Sequence, residues 1–252
     1  MTETTARTIT VTTQDGECPV HLHTPVGTGP WPGAILFMDG PGMRPAVHEI
    51  AARLAGNGYA VALPDLFYRA GAYEPIDPKV VFGARDSLVA HLERFMTPLT
   101  PARAMADTRA VLDAMHEWPE FAPGPVGVVG YCMGGRLALI AAGTFPEDIS
   151  VAASYHGGGL ADDDQPTSPH LLAPNIRAKV YVGGAINDTH FTDEEKARLE
   201  QALSEAGVDH VIETYPALHG WVPRDMPAHD AAEAEHHWQT LVPLFNGVLK
   251  QG

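Results

Sequence analysis

The chain has 252 residues, 45% of them hydrophobic, which is enough for one large domain with a sizeable core. Its formal net charge of −15 disfavours nucleic acid or an anionic membrane surface as a partner. The N-terminal stretch MTETTARTIT lacks the apolar centre of a signal peptide, and no stretch approaches the ~20 apolar residues of a membrane span. The two cysteines, Cys18 and Cys132, lie far apart, which favours reduced thiols and a cytoplasmic location.

The first half of the chain predicts a hairpin followed by alternating strands and helices. Residues 7–13 and 19–24 alternate polar and apolar side chains around Asp15-Gly16, a pattern typical of an antiparallel hairpin at a sheet edge. Continuous apolar runs then predict strands that are covered on both faces. In order, the predicted elements are strand 34–38, helix 47–55, strand 59–63, a helix near 79–95 within an irregular segment 67–101, and helix 102–118.

The second half continues the same alternation. Its predicted elements are strand 126–130, helix 136–142, strand 151–155, an acidic, Pro-rich loop 162–174, strand 179–182, helix 193–206, strand 208–214, a loop 216–227 and helix 228–249. Strands and helices that alternate in this way form a mostly parallel sheet with helices on both faces. No linker divides the chain, so we predict a single α/β domain over residues 1–252 with an N-terminal antiparallel edge hairpin.

A short stretch between a predicted strand and a predicted helix places a thiol in a sharp turn. It is Gly130-Tyr131-Cys132-Met133-Gly134. This Gly-x-Cys-x-Gly pattern is similar to the nucleophile elbow of the α/β-hydrolases, with cysteine in the position of the usual serine. So tight a turn needs small residues, which accounts for Gly130 and Gly134. The turn lifts the sulfur to a helix N-terminus, where the helix dipole favours a thiolate and a developing oxyanion.

Two residues that follow later strands complete a candidate triad. In a parallel sheet, residues just past the carboxyl ends of the strands converge on one edge. Asp188 follows one strand and His219 lies in the loop after the last, so the order nucleophile, acid, histidine is that of the α/β-hydrolases. We predict that His219 moves the proton of Cys132 and that Asp188 fixes the imidazole tautomer. The competing acid, Asp193, fits better as the first residue of an acidic helix start.

Five motifs point to one family. They are Pro64-Asp65-Leu66-Phe67-Tyr68-Arg69, Gly130-Tyr131-Cys132-Met133-Gly134-Gly135, Tyr155-His156-Gly157, Gly183-Gly184 leading to Asp188, and His219-Gly220. With these motifs the chain resembles the dienelactone hydrolase family (carboxymethylenebutenolidases) over nearly its whole length. The resemblance implies an α/β-hydrolase fold and a cofactor-free hydrolase that opens an enol-lactone through a thioester intermediate. It also places the triad on Cys132, Asp188 and His219.

The oxyanion hole is expected to have two backbone donors. One is the N–H of Met133, the residue after the nucleophile. The other is the N–H of Gly40 at the end of an earlier strand, because Pro41 has no N–H to offer. The resemblance points to the same position.

The residue before Gly40 has two open interpretations. The family usually has a glutamate where this chain has Asp39, and in the family that carboxylate interacts with the resting thiol and helps to activate it when substrate binds. Asp39 is therefore a candidate catalytic residue. The alternative is a turn residue at a strand end, which is a common position for aspartate.

The substrate-binding residues are predicted from their position near the same edge. The resemblance implies arginines that bind the carboxylate of dienelactone, and Arg85 and Arg224 lie in roughly comparable segments. Tyr131, Trp221 and Phe67 are candidates to line the pocket. We expect a small-molecule lactone or ester as substrate, with no cofactor and no metal, and a monomer or a small homo-oligomer.

Other functions stay open at this stage. A thioesterase or a general carboxylesterase would use the same site. The 13 histidines and the many carboxylates would suit a metallohydrolase, but no H-E-x-x-H or comparable ligand spacing is present. A catalytically silent binding protein on a hydrolase fold is a further alternative, since fold alone does not establish function.

Overall fold

The centre of the protein, in a computed structural model that describes residues 2–250, is an eight-stranded sheet of order β1-β2-β4-β3-β5-β6-β7-β8. Residues 1, 251 and 252, which the predicted domain 1–252 includes, lie outside the described residues. The strands are β1 (Thr4–Thr13), β2 (Gly16–Pro25), β3 (Gly33–Phe37), β4 (Ala60–Pro64), β5 (Val126–Tyr131), β6 (Ile149–Tyr155), β7 (Lys179–Ala185) and β8 (His210–Tyr215).

The sheet is antiparallel at one edge and parallel elsewhere. Strands β1 and β2 form the predicted hairpin, in which Thr13 pairs with Gly16, and β2 runs antiparallel to β4. The remaining neighbours, from β4 through β3 and β5 to β8, are all parallel. The predicted fold class is therefore confirmed. The carboxyl ends of the parallel strands lie at one edge, where side chains from distant parts of the sequence meet.

Helices cover both faces of the sheet. They are α1 (Pro45–Ala55), α2 (Pro78–Gly83), α3 (Arg85–His91), α4 (Pro101–Glu117), α5 (Met133–Thr144), α6 (Asp193–Glu205) and α7 (Ala231–Leu249). A Cβ on Gly127 would touch Phe245 of α7, whereas one on Gly130 would meet the start of α5. Residues an odd number apart on a strand point to opposite faces, so α5 and α7 lie on opposite sides of the sheet. Within residues 2–250 no helix has the length and apolar character needed to cross a bilayer.

Two predicted segments differ from the structure. The single helix expected near 79–95 is broken into α2, α3 and a π-helical turn, Leu92–Met96. The break comes at Ala84, whose extended backbone (φ −146°, ψ 141°) separates α2 from α3. The loop expected at 162–174 also contains a 3₁₀ helix, Pro169–Asn175, which begins with a proline whose missing N–H suits a helix start.

Candidate active site

Cys132 lies in the sharp turn between β5 and α5. Its φ of 53° is unusual for a residue with a side chain, as expected of a strained nucleophile elbow. The turn requires glycine on both sides. A Cβ on Gly130 would lie 1.9 Å from the carbonyl oxygen of Gly134, and one on Gly134 would lie 2.3 Å from the carbonyl oxygen of Phe37. The start of α5 therefore packs directly on the end of β3, and the Cys132 side chain stays partly exposed.

A buried histidine supports the elbow from the neighbouring strand. The backbone N–H of Cys132 donates to Nδ1 of His156 at 3.1 Å and to the carbonyl oxygen of Tyr155 at 3.1 Å. His156 follows β6 and also has a positive φ, 41°. Burial, together with the nearby His219 and His237, lowers the pKa of His156 well below its ordinary value. The ring is therefore neutral, and its Nδ1 is available as an acceptor.

The predicted acid and base are hydrogen bonded to each other. Nδ1 of His219 donates to Oδ2 of Asp188 over 2.8 Å, and Oδ1 of Asp188 accepts from the backbone N–H of His190 over 2.9 Å. The His219 ring also lies 5.3 Å, between centroids, from the ring of His156, which accepts from the backbone N–H of Cys132. Asp193, the competing acid, begins α6, and its side chain is 93% exposed. The structure thus brings Cys132, His219 and Asp188 together and leaves Asp193 at the surface.

Electrostatics within this group favour a charged imidazole. Burial of the ring opposes its charge, but the hydrogen bond to Asp188 and the interaction with Cys132 raise the pKa of His219 to about 10. Burial likewise opposes ionisation of Asp188, yet the hydrogen bonds from His219 and His190 hold the pKa of that carboxyl below its ordinary value. Asp188 is therefore an anion that stabilises a cationic His219.

The two backbone N–H groups predicted to form the oxyanion hole lie near the elbow. Met133 is the first residue of α5, where N–H groups have no partner within the helix, and Gly40 follows the end of β3 in a turn. Across residues 2–250, neither N–H donates to another group. Because the end of β3 packs on the first turn of α5, these two donors belong to adjacent segments beside Cys132.

Asp39 is held by an arginine that the sequence interpretation missed. Nη1 and Nη2 of Arg44 each donate to one carboxylate oxygen of Asp39, the second at 2.8 Å, and both side chains are almost fully buried. Nε and Nη2 of Arg44 also donate to Asp225, at 2.7 and 3.1 Å. Burial opposes the charge of Arg44, but the two carboxylates raise its pKa above the ordinary value. Asp225 belongs to the loop that carries His219, so Arg44 links that loop to the turn at Gly40.

Three aromatic residues predicted to bind substrate are fully buried. Tyr131 is 1% exposed and its hydroxyl pairs with Nε2 of His237 at 2.9 Å, on the α7 side of the sheet. Trp221 is 0% exposed and stacks on Tyr215. Phe67 is 1% exposed and packs on the turn that contains Gly40. In this structure all three support the site by packing and present no free surface to a ligand.

The two arginines predicted to bind a substrate carboxylate lie at the surface. Arg85 is exposed at the start of α3. Arg224 is 66% exposed, and its guanidinium pairs with Glu49 of α1 at 2.5 Å. In the described part of the chain, neither guanidinium forms a hydrogen bond or an ion pair with Cys132, Asp188 or His219.

No motif in the sequence indicates the contacts of Arg44 or His91. Arg44 follows Asp39 by five residues, but only the folded turn shows that its guanidinium returns to that carboxylate. His91 belongs to the irregular segment 67–101, and its ring reaches the carbonyl oxygen of Gly40 at 2.8 Å. Among residues 2–250, no group of three or more His, Cys, Asp or Glu side chains is arranged to hold a metal ion.

The parallel sheet, the cysteine at the strand-to-helix turn and the paired aspartate and histidine define an α/β-hydrolase. The model of the dienelactone hydrolase family matches residues 19–249, so the chain belongs to that family and is a hydrolase that acts on ester bonds. It is 29% identical over 236 residues to the carboxymethylenebutenolidase of Rhodococcus opacus, covering 92% of this chain and 87% of that protein.

Solved structures show the same fold. A Klebsiella pneumoniae protein assigned to the dienelactone hydrolases superposes with a TM-score of 0.83 at 21% identity, covering 96% of this chain and 98% of that one. An esterase of Pyrobaculum calidifontis superposes with a TM-score of 0.70 at 16% identity, covering 96% of this chain and 85% of that one. At these identities, the likeness concerns the fold.

Proposed function

We propose that the protein is a cysteine-dependent hydrolase that opens a lactone or cleaves a small ester through a thioester acyl-enzyme. The observation that carries this proposal is the position of the His219 ring, which pairs with Asp188 at 2.8 Å and lies 5.3 Å, between centroids, from the His156 ring that accepts from the Cys132 N–H. A cationic imidazole next to the sulfur favours the thiolate, which is the reactive form of cysteine.

The first half of the reaction forms the acyl-enzyme. Sγ of Cys132 attacks the carbonyl carbon, and the carbonyl oxygen becomes an oxyanion that the N–H groups of Met133 and Gly40 stabilise. When the tetrahedral intermediate collapses, the bond between carbon and the alcohol oxygen breaks. The departing oxygen takes the proton of His219 Nε2, which leaves a thioester and a neutral imidazole. In a lactone, the alcohol stays attached to the acyl chain.

The second half releases the acid. A water molecule gives a proton to His219 Nε2 while its oxygen attacks the thioester carbon. The carbon–sulfur bond then breaks, so the product leaves as an acid and Cys132 returns as a thiolate beside a protonated His219. Asp188 stabilises the charged ring in both halves, and no cofactor enters the balance of the reaction.

The two cysteines provide a matched test. The variants Cys132→Ala and Cys18→Ser are compared by p-nitrophenyl acetate turnover and by intact-protein mass after brief mixing with the ester. Cys18 is fully buried, and burial raises the pKa of its thiol to about 12, so it is not a nucleophile. We expect Cys132→Ala to lose about a thousandfold or more of kcat and to gain no acetyl group.

The control should keep both properties. A serine at position 18 retains a donor near the carbonyl oxygens of Pro19 and Asp65, which the thiol approaches at 3.7 Å. Cys18→Ser should therefore turn over the ester and become acetylated on Cys132. Turnover by folded Cys132→Ala, or acetylation at another side chain in the wild-type protein, would remove Cys132 from the mechanism.

A further inference from the structure

The turn that contains Gly40 is held at several points. The N–H of Gly42 donates to the carbonyl oxygen of Asp39 at 3.0 Å, and Arg44 binds both the Asp39 carboxylate and the carbonyl oxygen of Gly42. Gly42 has a φ of 82°, and a Cβ there would lie 2.7 Å from the ring of Phe67. Asp39 and Gly42 are therefore fixed by ionic and steric contacts.

Gly40 itself has little steric restraint. A Cβ added to it would meet nothing closer than Sδ of Met96, at 4.0 Å. Glycine also has the widest choice of backbone angles, so packing alone does not fix the direction of its N–H. The bond from the Gly42 N–H to the Asp39 carbonyl holds the peptide before Gly40, so a second contact is needed to hold the peptide after it.

His91 supplies that contact. Its Nε2 lies 2.8 Å from the carbonyl oxygen of Gly40, and since a carbonyl oxygen only accepts, Nε2 carries the proton. The ring is 7% exposed and packs against Phe95 and Phe67, with centroids 5.1 and 6.1 Å away. The His91 ring is therefore buried against two aromatic side chains, which restrict its rotation.

We propose that His91 is a positioning residue for the oxyanion hole, acting through the Gly40 carbonyl to aim the Gly40 N–H at the substrate oxygen. This inference rests on the proposed function, in which Gly40 is a donor. The bond from His91 holds the peptide after Gly40, and together with the Gly42 bond to the Asp39 carbonyl it restricts both backbone angles of Gly40. An oxyanion donor is effective only when it is already aimed at the oxygen as charge develops.

The test removes the donor and keeps the size of the side chain. His91→Phe and His91→Met have no N–H in the side chain, whereas the side-chain amide of His91→Gln can still donate to the Gly40 carbonyl. We expect the two donor-free variants to lose about 10- to 100-fold in kcat for p-nitrophenyl acetate, with KM changed by less than about twofold. His91→Gln should recover most of that loss.

Alkylation of Cys132 by iodoacetamide separates positioning from general damage, because this reaction forms no oxyanion. Its rate should stay the same in all three variants. The matched control is His210→Phe. His210 also pairs with a backbone carbonyl, that of Val208 at 2.7 Å, and its side chain is 10% exposed. It is the first residue of β8, however, so it lies far from the carboxyl ends of the strands where Gly40 and Cys132 lie. This variant should keep the wild-type kcat.

Two results would overturn the role of His91. One is a kcat in folded His91→Phe or His91→Met that matches the His210→Phe control. The other is a parallel fall in kcat and alkylation rate, which would indicate collapse of the site. These results concern His91 alone. The proposed function is tested by a different experiment and would be contradicted if Cys132→Ala kept its turnover.

Discussion

Nδ1 of His219 and Oδ2 of Asp188 lie 2.8 Å apart, although 31 residues separate them in the sequence. The other oxygen of Asp188 is occupied by the backbone N–H of His190, so the carboxylate has one orientation available to it. Its side chain is only 1% exposed, which strengthens its interaction with the ring. These contacts favour a charged His219 ring.

Replacing Asp188 with asparagine should therefore change both the rate and its pH dependence. We expect kcat for p-nitrophenyl acetate to fall about 100- to 10,000-fold, because the amide neither fixes the tautomer nor stabilises the cation. The pKa of His219 is raised to about 10, so the wild-type ring stays protonated until the pH rises through that value. In Asp188→Asn the alkaline limit of turnover should move to lower pH. A pH–rate profile from 5 to ~10.5 measures both effects.

Asp193 provides the control for this change. It lies five residues further along the chain, pairs with Lys196 at 3.1 Å and is 93% exposed. Asp193→Asn should keep the wild-type kcat and alkaline limit. An equal loss of activity in both variants, or an unchanged alkaline limit in Asp188→Asn, would contradict the assigned role of Asp188.

The position of this pair was predictable because it depends on topology. Apolar runs indicate the parallel strands, and residues just past the carboxyl ends of such strands meet at one edge. Asp188 and His219 could therefore be assigned from their order after Cys132. The same argument places Met133 and Gly40 near the sulfur, since one follows Cys132 and the other follows β3.

Contacts that depend on the direction in which a side chain points were not predictable in this way. Tyr131 is buried against His237 and Trp221 is stacked on Tyr215, and the sequence near a strand end does not reveal such packing partners. The break at Ala84 rests on one extended residue within a helical pattern. The Arg44 ion pairs need the turn itself to be known, because the guanidinium returns to a residue five positions earlier.

The ion cluster around Arg44 makes a prediction about stability. Asp39→Asn breaks a buried pair whose side chains are 2% and 1% exposed, and we expect the free energy of unfolding to fall by about 3–5 kcal/mol. Asp225 is 32% exposed, so water compensates part of its loss, and Asp225→Asn should cost about 1 kcal/mol. Urea unfolding of both variants at pH 7 measures the difference.

The comparison of the two variants is informative because both carboxylates bind one guanidinium. An equal loss of unfolding free energy in Asp39→Asn and Asp225→Asn would mean that burial does not make the Asp39–Arg44 pair stronger than the more exposed Asp225–Arg44 pair. Iodoacetamide alkylation of Asp39→Asn further separates the two interpretations of this residue. A changed pH dependence of the alkylation would favour the activating role, and an unchanged one would leave Asp39 as the ionic anchor of the turn.

The last prediction concerns acid stability and the buried His237 of α7. Burial, with a contribution from Arg53, lowers the pKa of His237 from 6.5 to about 3. The folded protein therefore holds this ring neutral, with Nε2 accepting from Tyr131, while the unfolded chain takes up a proton below pH 6.5. Its contribution to stability is complete above pH 6.5 and is lost as the pH falls toward 3, by about 1.4 kcal/mol per pH unit.

His237→Gln tests this contribution, because the amide can still accept from Tyr131 but takes up no proton. Urea unfolding at several pH values between 6.5 and 4 should show a shallower acid dependence than in the wild type, by about 1.4 kcal/mol per pH unit. The exposed His116 in the last turn of α4 provides the control, and His116→Gln should keep the wild-type slope. An unchanged slope in His237→Gln would mean that this ring is protonated in the folded protein as readily as in the unfolded chain, and that its burial costs no acid stability.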